Sequence, residues 1–313
     1  MSIRDSKISN YIRDFLEYCE IEKGHSSLTV RNYEHYLRRF LGWAKIKNPN
    51  DITSDLVRNY RLYLNRLKDE KGRPLKKLTQ NYHLIALRAF LKYLAKRDIK
   101  SLSAEKIELA KTSRKSIEFL EGEELDRLLS CPSSSDFFGL RDRAILEILF
   151  STGLRVSELV SLNRDKINLE RGEFTVRGKG DKERLVFLSD SAKYWAKKWL
   201  DMRQDNYKAL FIPILGNKIQ KIELEKEPRL TARSIERIVK KYSKKAGLSK
   251  DVVVHTLRHS FATDLLRGGA DIRSVQQLLG HASITTTQIY THITNQQLRD
   301  VHKAFHGRTR KGK

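Results

Sequence analysis

The chain has 313 residues, 39% hydrophobic and 32% charged. That is enough for two ordinary domains with a core each, is too apolar for a disordered chain, and includes no uncharged apolar run of about 18 residues that could span a bilayer. Lysine and arginine outnumber the acids 62 to 38, a net charge of +24 at pH 7, which points to a polyanionic partner and to nucleic acid first, because each neutralised phosphate releases counterions. Ion-pair networks on an inert surface would want balanced charge. Attachment to an anionic membrane would want a lipidation motif or a strongly amphipathic anchor, and neither is present. The opening residues MSIRDSKISNYIRDF mix acids and bases without the apolar core of a secretion signal, so a cytoplasmic, nucleoid-associated location is expected. Cys19 and Cys131 stand far apart with no CxxC partner, which implies neither a disulfide framework nor a zinc site and reads them as buried apolar residues.

In chain order, Ile8, Tyr11, Ile12, Phe15, Leu16 and Cys19 recur at helical spacing. Ser26-Ser27 opens a second helix with Val30, Tyr33, Leu37, Phe40, Leu41 and Ala44 inward. A third runs from Thr53 to Leu67 on Leu56, Tyr60, Leu64 and Leu67, and the turn EKGRP ends it. A fourth spans Leu78 to Ala95, with Leu78, Tyr82, Ile85, Ala89 and Leu94 as its apolar stripe. Four amphipathic helices without strands make a small bundle. Its outer faces carry Arg31, Arg38, Arg39, Lys76, Lys77, Arg88, Lys92 and Lys96. Residues 98–116 turn polar and lysine-rich and read as a linker with room for one helical turn.

Beyond the linker, FLEGEELDRLL starts a helix with acids in its first turn, where the dipole favours them. RDRAILEILFSTGLRVSELVSL reads as a buried helix (Ala144, Ile145, Ile148, Leu149) that Gly153 breaks, followed by a helix with Arg155 at its start. Glu158, three residues on, shares a face with Arg155 and can orient its guanidinium. GEFTVRGKGDKERLVFL alternates on both sides of Gly178 to Asp181, a β-hairpin with Lys179 at a glycine-flanked turn. FIPILGNKIQKIELEKEPRL reads as a second hairpin or flap, and helices resume from Thr231.

The stretch HTLRH places His255, Arg258 and His259 within five residues. His281 follows a Leu-Leu-Gly, and Tyr290 comes nine residues later among threonines. A cationic, hydrogen-bonding pocket beside a phenol is equipment for attacking a phosphodiester. Each residue also has a bland reading. Arg155 could be a surface ion pair with Glu158; Lys179 could be a solvated turn lysine, with Lys182 the acid instead. His259 has the best claim to a structural role, and Thr285 to Thr287 better suit a helix cap or a phosphate contact than a reaction.

STGLRVSEL, RGKGDKERL, HTLRHSFAT and LGHASITTTQIYTH, in this order, resemble the boxes of the tyrosine recombinase (phage integrase) family, and most closely its Xer branch. The resemblance covers nearly the whole chain. It implies a mainly α protein, with a four-helix, SAM-like core-binding domain (1–97), the linker (98–116), a mostly helical catalytic domain with a small antiparallel sheet (117–306) and a basic tail (307–313), together a C-shaped DNA clamp. It also implies site-specific cleavage and rejoining of DNA through a 3′-phosphotyrosyl bond at Tyr290. Arg155 and Arg258 would hold the non-bridging oxygens, Lys179 would protonate the leaving oxygen, His255 would handle the phenol proton, and His281 would donate to the phosphate. Glu158 and His259 would stand behind them.

No metal or cofactor is expected: covalent storage of the phosphoryl group conserves the bond energy and makes ATP unnecessary, and the sequence lacks the carboxylate cluster that two-metal nucleases need. The expected partner is double-stranded DNA carrying a short recombination site. A homotetramer, with or without a paralogue, would bridge two duplexes through a Holliday junction, and a C-terminal helix over 295–305 (Leu298, Val301, Phe305) would dock on a neighbouring protomer or pack in cis. Resolution of chromosome or plasmid dimers is the leading role. A mobile-element integrase or a relaxing enzyme like type IB topoisomerases is the nearest rival, and a DNA-binding protein without catalysis is the rival from another class.

Overall fold

The computed structural model describes residues 6–69, 72–112, 118–178, 183–214 and 227–280. The chain divides into two compact units, Met1–Lys115 and Ser116–Lys313. Among the described residues it is mainly helical, and the only strands form one antiparallel pair. No described helix is long and apolar enough to cross a membrane.

The first unit is built from α1 (Lys7–Ile21), α2 (Ser27–Ala44), α3 (Ser54–Arg66) and α4 (Lys77–Lys96). The starts are set by side chains that accept orphan backbone N–H groups: Ser26 Oγ from Thr29 and Thr53 Oγ1 from Leu56. Ile8, Phe15, Leu37, Phe40, Tyr60, Leu64, Leu87 and Phe90 close the core. In α4 the buried face differs from the expected stripe. Leu78 and Tyr82 are exposed, while His83, Leu84, Leu87, Phe90, Leu91 and Leu94 point inward. This helix touches three others and buries a wide arc, so a single-stripe reading had no phase to lock on to. Tyr60 Oη and His83 Nδ1 satisfy each other inside that core at 3.0 Å.

Part of the stretch read as a linker with room for one helical turn packs into this unit. Ala104 and Ile107 are buried in its core, around a single 3₁₀ turn at Ala104–Lys106. The Asn81 amide donates to the Ala110 carbonyl (2.9 Å) and accepts from its N–H (3.1 Å).

The second unit comprises α5 (Gly122–Ser130), α6 (Phe137–Thr152), α7 (Val156–Ser161), β1 (Glu173–Arg177), β2 (Glu183–Phe187), α8 (Asp190–Asp201), α9 (Ala232–Lys245), α10 (Val254–Arg267) and α11 (Ile272–Leu279). Helix α6 is buried almost all round and forms the hub. Helix α8 has no counterpart among the expected elements, although Ala192, Ala196 and Trp199 at helical spacing are wholly buried and Trp199 Nε1 donates to the Leu210 carbonyl at 2.8 Å. The hairpin pairs Phe174 with Val186, Val176 with Arg184 and Arg177 with Glu183. Of the expected second hairpin or flap, residues 215–226 lie outside the described residues. Its ends meet through a backbone bond from Leu230 to Phe211 at 3.2 Å. Cys19 is buried as expected, and Cys131 is half-buried.

Candidate active site

Helix α6 stops at Gly153, which adopts the left-handed conformation (φ 59°) and donates to Leu149. A Cβ at 153 would lie 2.5 Å from Phe261 Cδ1, so glycine is demanded by both backbone and space. The turn delivers Arg155 to the N-cap of α7 in an extended conformation. Glu158 then closes back on it: Oε2 accepts the Arg155 backbone N–H at 2.8 Å, and Oε1 accepts Nη1 at 2.7 Å. The far end of α7 is secured by Arg229, whose Nη1 donates to the carbonyls of Val160 (2.9 Å) and Leu162 (2.8 Å).

Arg258 reaches the same place from α10. It is 4% exposed, with Nη1 on the Gly153 carbonyl (2.5 Å) and Nη2 on that of Leu279 (2.6 Å). Arg155 Nη2 donates to the next carbonyl, Gly280, at 3.3 Å. A third guanidinium, that of Arg184 on β2, donates through Nε to Leu278 at 2.9 Å. Three successive carbonyls at the C-terminal end of α11 are thus each met by an arginine, where the helix dipole concentrates partial negative charge. Gly280, at φ 64°, ends that helix.

Glu158 is buried and also accepts both terminal nitrogens of Arg184, each at 3.1 Å. Burial by itself would raise the Glu158 carboxyl, but the hydrogen bonds from Arg184 and from the Arg155 backbone outweigh it and hold it below the ordinary carboxylate range. It is a fixed anion between two fixed cations.

His255 sits in the first turn of α10, accessible to solvent, with His259 one turn further and half-buried, ring centres 6.5 Å apart. Burial, then the charges of Arg258 and Arg155, push the His255 imidazole below its usual pKa. His259 is lowered to about 4 by burial, then by His255 and Arg258. Both imidazoles are neutral near pH 7, so His255 has a nitrogen free of a proton beside two arginines.

The described residues therefore bring together Arg155, Glu158, His255, Arg258 and His259 from the sequence reading. Lys179, His281 and Tyr290 lie outside the described residues, as do Lys182, Thr285 to Thr287 and the 295–305 segment. Arg184 was not singled out in the sequence. Its signal was parity: it falls on the same inward side of β2 as the buried Val186, an unusual place for a charge.

Residues 118–297 match the phage integrase family, and residues 12–98 match the phage integrase N-terminal SAM-like domain. The chain belongs to the phage integrase family. It is 37% identical over 307 residues to the tyrosine recombinase XerD of Listeria monocytogenes serotype 4b (strain F2365), covering 96% of this chain and 100% of that one. It is also 37% identical to the tyrosine recombinase XerC of Thermodesulfovibrio yellowstonii, over 95% and 96% of the two chains. Among solved structures it resembles the XerH site-specific recombinase bound to a palindromic difH substrate in a post-cleavage complex, with a TM-score of 0.68, 25% identity and coverage of 96% and 90%. This tyrosine recombinase is an enzyme, a site-specific DNA recombinase, and its α1–α4 unit is the SAM-like domain of the family.

Proposed function

We propose that the protein cleaves and rejoins DNA at a short specific site through a covalent bond between Tyr290 and the scissile phosphate. The observation that carries this is the convergence of Arg155 and Arg258, from two separate helices, on one helix end with a neutral imidazole beside them. Two guanidiniums that stay charged at any accessible pH suit the non-bridging oxygens of a phosphodiester, where negative charge grows in the transition state.

The Tyr290 phenol oxygen attacks phosphorus, and its proton passes to His255. The bond from phosphorus to the 5′-oxygen breaks, leaving a 3′-phosphotyrosyl linkage. Lys179 protonates the departing oxygen, and His281 donates a hydrogen bond to the phosphate. Glu158 and His259 hold Arg155 and the His255 helix in place. Attack by a 5′-hydroxyl of the partner duplex reverses each step, so strands exchange through a Holliday junction without added energy.

The division of the chain into a core-binding domain (1–97), linker (98–116), catalytic domain (117–306) and tail suits a protein whose two domains both bind DNA. A homotetramer, with or without a paralogue, would hold two duplexes, with the 295–305 helix docked on the neighbouring protomer. The likeness to proteins named XerC and XerD supports chromosome or plasmid dimer resolution in the cytoplasm, on the nucleoid.

The test is a nicked suicide substrate, identified by sequencing the DNA that the protein crosslinks in its native genome. Tyr290→Phe should bind that DNA like the parent and form no protein–DNA adduct. An adduct from this variant removes Tyr290 as nucleophile, and a strict requirement for Mg²⁺ would point to a nuclease instead.

A further inference from the structure

The Glu158 carboxylate takes four hydrogen bonds. Oε1 accepts from Arg155 Nη1 at 2.7 Å and from Arg184 Nη1 at 3.1 Å, and Oε2 accepts from the Arg155 backbone at 2.8 Å and from Arg184 Nη2 at 3.1 Å. Arg184 spends its remaining direction on α11: Nε donates to Leu278 at 2.9 Å, and its stem lies against Gly280, where an added Cβ would stand 2.8 Å from Arg184 Cδ. One guanidinium therefore joins strand β2 to the start of α7 and to the end of α11, segments 26 and 94 residues away in sequence.

Exposure separates the two arginines. The Arg155 side chain is 30% exposed, whereas that of Arg184 is 10% exposed, with all three of its guanidinium nitrogens hydrogen-bonded inside the protein.

We propose that Arg184 is a positioning residue for the phosphate-binding arginine pair. By saturating Glu158 it sets the angle at which Arg155 is presented, and by holding Leu278 it fixes the helix end on which Arg155 and Arg258 both rest. Without it, the buried carboxylate has two unfilled acceptor directions. The nearest donor is the guanidinium of Arg155, which turns inward to fill them and away from the phosphate. Lysine cannot replace Arg184, because a single ammonium nitrogen cannot span both carboxylate oxygens and the Leu278 carbonyl in one plane. This inference rests on the reading of Arg155 as a phosphate ligand.

The experiment uses the full chain and its Arg184→Lys, Arg184→Ala and Arg155→Ala variants, with the double variant Arg155→Ala/Arg184→Ala, on suicide substrates. These carry either an ordinary phosphodiester or a methylphosphonate at the scissile position. The methylphosphonate is neutral and needs less cationic stabilisation. On the phosphodiester, both Arg184 variants should form adduct about 10- to 100-fold more slowly, with DNA affinity and melting temperature little changed for Arg184→Lys. On the methylphosphonate their deficit should shrink to a few-fold, in parallel with that of Arg155→Ala, and the double variant should be no slower than Arg155→Ala alone. An Arg184→Lys rate equal to the parent's overturns the proposal. So does an Arg184 deficit of equal size on both substrates while that of Arg155→Ala shrinks. If Arg155→Ala loses nothing on the phosphodiester, the reading of Arg155 itself has failed, and the proposal falls with it.

Discussion

At the scale of single residues, the site is a problem in charge placement. Arg155, Arg184 and Arg258 lie close together around one buried carboxylate and three helix carbonyls, acceptors that offset their mutual repulsion. Burial, then the charges of Arg258 and Arg155, lower the His255 pKa and favour the neutral imidazole, the state that accepts a phenol proton. A lowered pKa in the folded protein means that the neutral imidazole persists as the pH falls past the usual imidazole range of about 6.5. Adduct formation should therefore hold level through pH 7 and drop only at a midpoint below that value. His255→Gln should remove that acid limb from the rate profile. A midpoint at or above the ordinary imidazole value would contradict the environment described for His255.

At the scale of elements, the turn at Gly153 joins the hub helix to the arginine helix and supplies the carbonyl that Arg258 uses. Gly153→Ala should cost about 2–4 kcal/mol of unfolding free energy, from left-handed strain plus displacement of Phe261. It should also slow adduct formation, measured by urea denaturation and suicide-substrate assays on the same sample. Retention of full stability would mean that Phe261 moves aside freely.

Between α3 and α4, His83 Nδ1 and Tyr60 Oη share a hydrogen bond in the core, and burial, then Arg39, lower the His83 pKa to about 4. Unfolding releases it to its ordinary value of about 6.5, so the unfolded chain binds more protons between those two pH values. The stability it contributes is whole above pH 6.5 and declines as the pH falls toward 4, by up to about 3 kcal/mol. His259 acts in the same direction. Urea midpoints at pH 7 and pH 4 should differ less in His83→Gln than in the parent. An equal drop in both would assign the acid sensitivity elsewhere.

Helix α4 also marks where sequence reading ran thin. Its ends were readable, but its buried face was misjudged, because a helix that packs on three neighbours buries residues such as Asn81 and His83 that no apolar stripe includes. Asn81 is inward because it holds Ala110, a partner 29 residues away.

At the scale of the whole molecule, the net charge of +24 sets how the protein meets DNA. Binding to a single site should weaken by about a thousandfold or more between 50 and 200 mM salt, with a linear log–log plot, if six or more phosphates are neutralised. Equilibrium titrations across that range check this, and a flat response would mean that the excess charge faces elsewhere.

The amino-acid sequence by itself determined the helical bundle, the hairpin, the break at Gly153 and the pairing of Arg155 with Glu158. All of these follow from interactions within a few residues, where spacing and φ preference suffice. Only the tertiary structure decided that Arg155 and Arg258 share a helix end, and that Arg184, a strand residue, completes the hydrogen bonding of the Glu158 carboxylate that holds Arg155. Their partners lie from 21 to 125 residues away in the chain. Separations of that size leave no period in a sequence, and only packing brings such groups within hydrogen-bond reach.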